Sequence, residues 1–461
     1  MKHLINIFGL SILFFAVSVT WAQKSGKQNV SERNVRAEMN FLASDAMQGR
    51  GSGGQFERVA AEYIGSQFMQ FGLEPAGEPG WDGKPTYVQT VTVPGRERLS
   101  TATLTAGQSV TITYGQDMFA MSVASKDISG PLKRINIGDA VSPGSVVLLN
   151  PIANGTYASY RPEITRLRQT AAAIIVPETA DLRSQWDQAV AVSLPIQRRG
   201  ASVFVLSRSA LESLSKVADE AAINFKIETK TGPEGHTWNA IGKIVGIDPT
   251  LSSEVVLLTS HLDHLGVRED APGSDKIFNG ADDDASGSIA VLELARVLGG
   301  GSTPKRTIYF VCFGSEEAGG FGATYFLNHL PAPREKFVAN LEFEMIGRPD
   351  AKVKPDELWL TGFERTDLGP ELAKRGAKLV QDPHPDENFF QRSDNIQLAR
   401  AGIVAQTVSS FGLHADYHKA TDEIRTIDFE HMTRSINSMV GPVQWLVNTA
   451  WKPSWKEGQR P

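Results

Sequence analysis

Five short segments of this chain concentrate side chains that bind metals or move protons. They are Ser260-His261-Leu-Asp263-His264, Asn279-Gly-Ala-Asp282-Asp283-Asp284-Ala-Ser-Gly287, Gly314-Ser-Glu316-Glu317, the lone Glu344, and His414-Ala-Asp-Tyr417-His418-Lys-Ala-Thr-Asp422. Zinc takes imidazole nitrogen and carboxylate oxygen at about 2.0 to 2.2 Å. Two such ions about 3.5 to 4 Å apart need a bridging carboxylate and terminal ligands on each side. Two histidines and three carboxylates drawn from these segments would satisfy that count. Adjacent glutamates in a loop point in different directions, so one of the pair Glu316-Glu317 can bind metal while its neighbour faces water. Metal lowers the pKa of water toward about 7, and a nearby carboxylate can then take its proton.

Four of these segments sit where an open sheet would present them together. From Trp238 onward apolar strands alternate with helical stretches, the pattern of an α/β fold with a mainly parallel central sheet flanked by helices. Strands are expected at Ala240–Ile247, Glu254–Thr259, Thr307–Phe313, Val338–Phe343 and Ile403–Val408. Helices are expected at Ser286–Leu298, with an apolar face of Ile289, Leu292, Leu294, Ala295 and Leu298, and at Ala323–Leu330, Gly369–Arg375 and Phe429–Ala450. Sites in such sheets form outside the carboxyl ends of the strands. Glu254–Thr259 runs straight into His261, Thr307–Phe313 into Glu316 and Glu317, and Val338–Phe343 into Glu344, while the aspartate run opens a helix.

These runs carry a resemblance. His261-Leu-Asp-His-Leu-Gly266, Gly280-Ala-Asp-Asp-Asp-Ala-Ser-Gly287, Glu316-Glu317, Phe343-Glu-Met-Ile-Gly-Arg348 and Tyr417-His418 look like metallopeptidase family 28, in the family's order. That group holds co-catalytic zinc aminopeptidases together with glutamate carboxypeptidases and glutaminyl cyclases. The likeness spans most of residues 31–450. It implies two Zn2+ ions per chain, with Asp283 bridging, His261 and Glu344 completing one site, and Glu317 and His418 the other. It implies Asp263 as the carboxylate that orients His261, and Glu316 as the general base acting on a metal-bridging water. It further implies Tyr417 as hydrogen-bond donor to the tetrahedral oxyanion, and Arg392 and Asp394 as candidates near the substrate amine and first side-chain pocket. The sequence departs from the family at Glu344, where many members have Asp, and at Asn395, where His is frequent.

The expected function is therefore a secreted or periplasmic aminopeptidase acting on peptide substrates with a free N-terminus. Glutaminyl cyclisation and carboxypeptidase action are alternatives on the same ligand set, the latter needing a cationic patch for the substrate carboxylate. A non-catalytic relative would have lost ligands or base, and this chain retains both. His264, His329, His384 and His431 read as structural or surface residues, and His414 is undecided. Asp282 and Asp284 read as caps of the helix that follows, since carboxylates accept orphan amide hydrogens there. Ala318-Gly-Gly-Phe-Gly322 reads as a turn; no Lys-Ser/Thr pair follows to make a phosphate loop.

The 461 residues suffice for two domains, and a formal net charge of -6 argues against a nucleic-acid partner. Lys2 and His3 precede an apolar run, Leu4 to Val19, and a small residue at Ala22, so 1–22 is expected to be a cleaved signal peptide, leaving no membrane association. The single cysteine, Cys312, lies mid-strand and reads as a buried small hydrophobe. Residues 31–72 read as helical, with Val59, Tyr63, Ile64, Phe68 and Phe71 at helical spacing. Residues 96–237 are β-rich, with strands such as Ser145–Leu149 and Ala171–Val176 and a helix near Arg161–Thr170. This segment falls where many family members insert a protease-associated domain. The zinc peptidase domain is then 23–95 with 238–450, and 451–461 reads as a polar tail.

Overall fold

The computed structural model describes residues 29–95, 97–107, 109–192, 194–196 and 200–461. The expected signal segment 1–22 lies outside them. The chain divides into two compact units: residues up to Val91 together with Thr237–Pro461, and Thr92–His236.

In the first unit a mixed sheet has a parallel centre. Thr307–Phe313, Val255–His261, Phe337–Phe343 and Ala405–Ser409 lie side by side in that order, all parallel. Gly235–Ile244 flanks them antiparallel beside Thr307–Phe313. On the other side Leu358–Leu360 runs antiparallel to Ala405–Ser409, with Leu379–Gln381 beyond it. The central strands are buried along their whole length, as strands covered on both faces must be. One apolar layer holds the helices Glu32–Leu42, Gln55–Gln70, Gly287–Gly299 and Phe429–Asn448; the other holds Phe321–Asn328 and Asn395–Arg400. Cys312 sits within the first layer, and burial pushes its thiol up to about 12, so it is a packing residue. No described helix is long and apolar enough to cross a membrane.

Three features differ from the sequence reading. Residues 31–72 are two helices, broken over 43–54, because Gly49-Arg-Gly-Ser-Gly-Gly54 takes left-handed turns. Gly49 has φ +65, and a Cβ there would lie 2.2 Å from the Phe278 carbonyl oxygen. The second helix turns Ala60, Ala61, Ile64 and Phe68 inward and leaves Val59 exposed. The helix Gly287–Gly299 is buried on nearly every side rather than along one apolar face, with only Arg296 and Gly299 half-exposed. Residues 451–461 are not a free tail. Trp455 bridges to Thr366, the Ser454 amide donates to Asp367, and Arg460 donates to the Arg400 carbonyl.

In the second unit, eight strands form one sheet. Val110–Thr113, Glu97–Ala106, Ala222–Thr231 and Asp127–Ile135 pair antiparallel. Val146–Leu149, Ala173–Pro177 and Ser202–Leu206 continue parallel, and Met118–Ser122 ends the sheet antiparallel to the last of them. Parallel neighbours need crossovers, and the helix Tyr157–Leu167 supplies one, opened by a capping box of Thr156 and Ser159. Half of this segment is thus α/β, where the sequence reading expected mainly strands.

Candidate metal centre and active site

The parallel register delivers the donors. His261 pairs opposite Phe313, so the first strand ends in an imidazole level with the point where the second releases Gly314–Glu317. Glu344 follows Phe343 on the next strand. Asp283 comes from the turn Ala281–Ser286 ahead of the buried helix, and its peptide to Asp284 is cis.

Asp283 faces two ways. Its Oδ1 lies 3.2 Å from His261 Nε2, and its Oδ2 lies 3.2 Å from His418 Nε2. Glu317 Oε1 stands 3.2 Å from His418 Nε2. One donor atom each from His261, Asp283 and Glu344 lie within 4.8 Å of one another. The five expected ligands are thus gathered at one point. On its other side His261 Nδ1 meets only acceptors, the Asp263 carbonyl at 3.2 Å and Asp263 Oδ1 at 3.6 Å. Those acceptors hold a proton on Nδ1, which leaves Nε2, facing Asp283, as the nitrogen a metal would take.

This donor set fits zinc. His261 Nε2, both ring nitrogens of His264, and Glu317 Oε1 are buried with no hydrogen-bond partner, though carboxylate oxygens stand 3.2 Å from His261 Nε2 and 2.9 Å from His264 Nδ1. Buried polar atoms are rarely left so, and a cation among them accounts for the convergence. Protonation does the same work less well. Against their burial, Asp283 and Glu317 lift His418 to about 9, while Glu317, buried beside Asp283, is drawn down to about 2 by His264 and His418. A bound metal would displace those protons.

Around this centre burial pushes carboxyl groups upward. Glu316 and Glu342 are raised well above the carboxylate range by burial, then by Asp394 and Glu344, and Asp394 itself rises to about 7. Asp263 accepts from Ser52 Oγ at 2.5 Å and from the Glu316 amide at 3.0 Å, coupling the orienting carboxylate to the loop that carries the candidate base.

A cleft of about 490 Å3 opens on the donors, lined by Glu316, Tyr417, Arg392 and the apolar side chains Met345, Trp359, Phe389 and Phe411. Tyr417 stacks on His418 with centroids 3.9 Å apart. The Arg392 guanidinium lies 4.9 Å from the Phe389 ring and 3.4 Å from Glu387. Asp394, expected beside the substrate, is instead buried and absent from the cleft wall. It starts the helix Asn395–Arg400, which turns it inward toward Gln397. Asn395 is buried as well, its amide donating to Glu342 at 2.6 Å.

Four residues outside the expected set organise the site. Arg50 is fully buried and donates to the carbonyls of Leu42, Leu262, Asn279 and Gly280, clamping the His261 loop to the Asp283 turn. Asp284 accepts from the amides of His261, Gly287 and Met345, so the expected helix cap also joins three ligand segments. Asp282 is no helix-end cap: it accepts from the Gly347 amide and stands 2.9 Å from His414 Nε2. Asp422 accepts from the Asp282 and Asp283 amides, tying the His418 loop to the turn. The acidic run and its spacing held a signal for the aspartates, while Arg50 carried none beyond its flanking glycines. His329, His384 and His431 are held by Tyr325, Asp350 and Ser410. His264, read as structural, stands among the donors instead, because the chain turns back after His261 and buries it there.

Residues 239–441 match the model of Peptidase family M28. The chain is 31% identical over 145 residues to leupeptin-inactivating enzyme 1 of Streptomyces exfoliatus, covering 31% of this chain and 30% of that one. It is 26% identical over 247 residues to a probable leucine aminopeptidase 2 of Aspergillus oryzae, covering 48% and 47%. It thus spans less than two thirds of the length of these curated relatives. Among solved structures, an aminopeptidase from Aneurinibacillus sp. strain AM-1 superposes with a TM-score of 0.53 at 20% identity, covering 94% of this chain and 96% of that one, a likeness of fold.

Proposed function

We propose that this chain is an exported aminopeptidase with two zinc ions, releasing the N-terminal residue of peptides. The observation that carries the reading is the two-sided Asp283, with one oxygen toward His261 and the other toward His418. His261, Asp283 and Glu344 would hold one ion, and Asp283, Glu317 and His418 the other. Zinc, when bound, polarises the scissile carbonyl and lowers the pKa of water toward about 7.

The chain's own groups do the rest. Glu316 lines the cleft on a loop fixed by Asp263, and it takes the proton of the attacking water and passes it to the leaving amine. Burial pushes the Tyr417 phenol upward, so it stays protonated and donates to the oxyanion. Met345, Trp359, Phe389 and Phe411 form an apolar wall suited to an apolar N-terminal side chain. Arg392, already beside Glu387, is a poor basis for a carboxypeptidase's anionic anchor. Several relatives' names, leucine aminopeptidase among them, favour the same choice, though one relative is named carboxypeptidase Q. Residues 1–22 serve as the export signal in this reading, and the Thr92–His236 unit as a protease-associated-type insertion.

The test is zinc content by elemental analysis alongside a panel of aminoacyl-p-nitroanilides. About two zinc ions per chain are expected, with chelator-sensitive release from Leu and Met substrates and none from their N-acetylated forms. Cleavage of blocked substrates, or zinc without any hydrolysis, would discard the aminopeptidase reading.

A further inference from the structure

A sixth donor faces the same centre. His264 is fully buried, with Nδ1 2.9 Å from Glu317 Oε1 and 3.9 Å from Asp283 Oδ2. Nδ1 and Oε1 are near enough to hydrogen-bond, yet neither makes a hydrogen bond: they are close but not aligned. Donors that point past one another at a shared cation have that geometry. Around a tetrahedral zinc, ligand atoms at about 2.0 Å from the ion stand about 3.3 Å apart. The His418 contacts to Asp283 and Glu317, both 3.2 Å, match it, and one donor each from His264, Asp283 and Glu317 lie within 4.8 Å of one another. The ring has little freedom to leave. It packs over Gly280, where a Cβ would come within 2.5 Å of His264 Cγ, and its own amide donates to the Arg50 carbonyl.

We infer that His264 is a protein ligand of the Glu317–His418 ion, which then has four, Asp283, Glu317, His418 and His264, while the His261–Glu344 ion has three. The inference rests on the two-ion reading above. Four protein ligands close a zinc site as structural sites are closed, and three leave a position open, as catalytic sites do. The two ions are therefore unequal: the closed one is retained and the open one exchanges.

The test uses the intact chain and zinc alone. Apo protein given one equivalent of zinc is measured by zinc X-ray absorption, then titrated to saturation. Two imidazoles on the first ion, from His264 and His418, are expected, with a second ion bound more weakly. In His264→Asn the side-chain amide can hydrogen-bond Glu317 but is a poor zinc ligand. That variant should bind its first zinc about 100-fold or more weakly, beyond the 10–100-fold that outer partners of a ligand supply, with the apo variant keeping the circular dichroism of apo wild type. One imidazole on the first ion of a chain that takes two zincs overturns this inference and leaves the two-ion reading standing. Unchanged affinity in His264→Asn does the same. A wild-type chain that takes up a single zinc overturns both.

Discussion

Glu316, partly buried, and Asp394, fully buried, are acids beside the same ligands, yet they have opposite prospects. Glu316 reaches the cleft and can exchange a proton with substrate; Asp394 cannot. Glu316→Gln should keep both zinc ions and cut kcat by about 10^2- to 10^4-fold, the span assigned to general-base catalysis, with KM little changed. Elemental analysis beside steady-state kinetics checks both halves. For Asp394, burial and then the Asp263 and Glu344 carboxylates set the folded pKa at about 7, against about 3.9 in an unfolded chain. Between those values the folded state binds the extra proton, so the stability of the metal-free protein falls as pH rises from about 4 through 7. Asp394→Asn should therefore raise the Tm of chelated protein at pH 8 and barely move it at pH 4. An equal shift at both would trace the effect to packing.

At the scale of elements, the centre exists because turns are fastened to one another, and the Arg50 turn is the main fastening. Its guanidinium spans segments that lie 212 and 229 residues away in the chain. Arg50→Met would leave those carbonyls unpartnered and the neighbouring aspartates without their buried cation, costing about 3–5 kcal/mol in urea denaturation and weakening zinc binding. Here the limits of the sequence become physical. Strand ends were legible, because an unbroken apolar run followed by His, Glu-Glu or Glu fixes both the strand and the edge it feeds. So were the segments that bring the donors together, while which residue of each would bind came from the family resemblance. The break in the first helical stretch was hidden, since helical spacing persists across a glycine-rich turn. His264 was hidden too: three residues past His261 the strand has ended, and no periodicity says which way a side chain turns. Arg50 looked like any surface cation, because its partners are distant in the chain.

For the molecule as a whole, the two units have separate cores, and among the described residues both groups of converging metal-type donors belong to the first. Ligand binding stabilises only the unit that binds, by about 4 kcal/mol at a thousandfold excess over Kd. Scanning calorimetry with and without chelator should accordingly move one transition and leave the transition of the Thr92–His236 unit in place. A shift shared by both would mean that they unfold together. The docked residues 451–461 add a second long-range closure to the first unit, through Trp455 and Thr366. A further closure joins the first described residues to the last long helix: the Val30 amide donates to Asn437 Oδ1, 407 positions away. His418 comes just ahead of that helix, Phe429–Asn448. A ribosome making this chain thus releases four of the donor segments long before the fifth, and the helix that seals the core comes later still. Contacts of such high order form only after the intervening chain is available. A growing polypeptide built on this plan has no assembled centre with which to cut its neighbours, and the delay is written into the order of its segments.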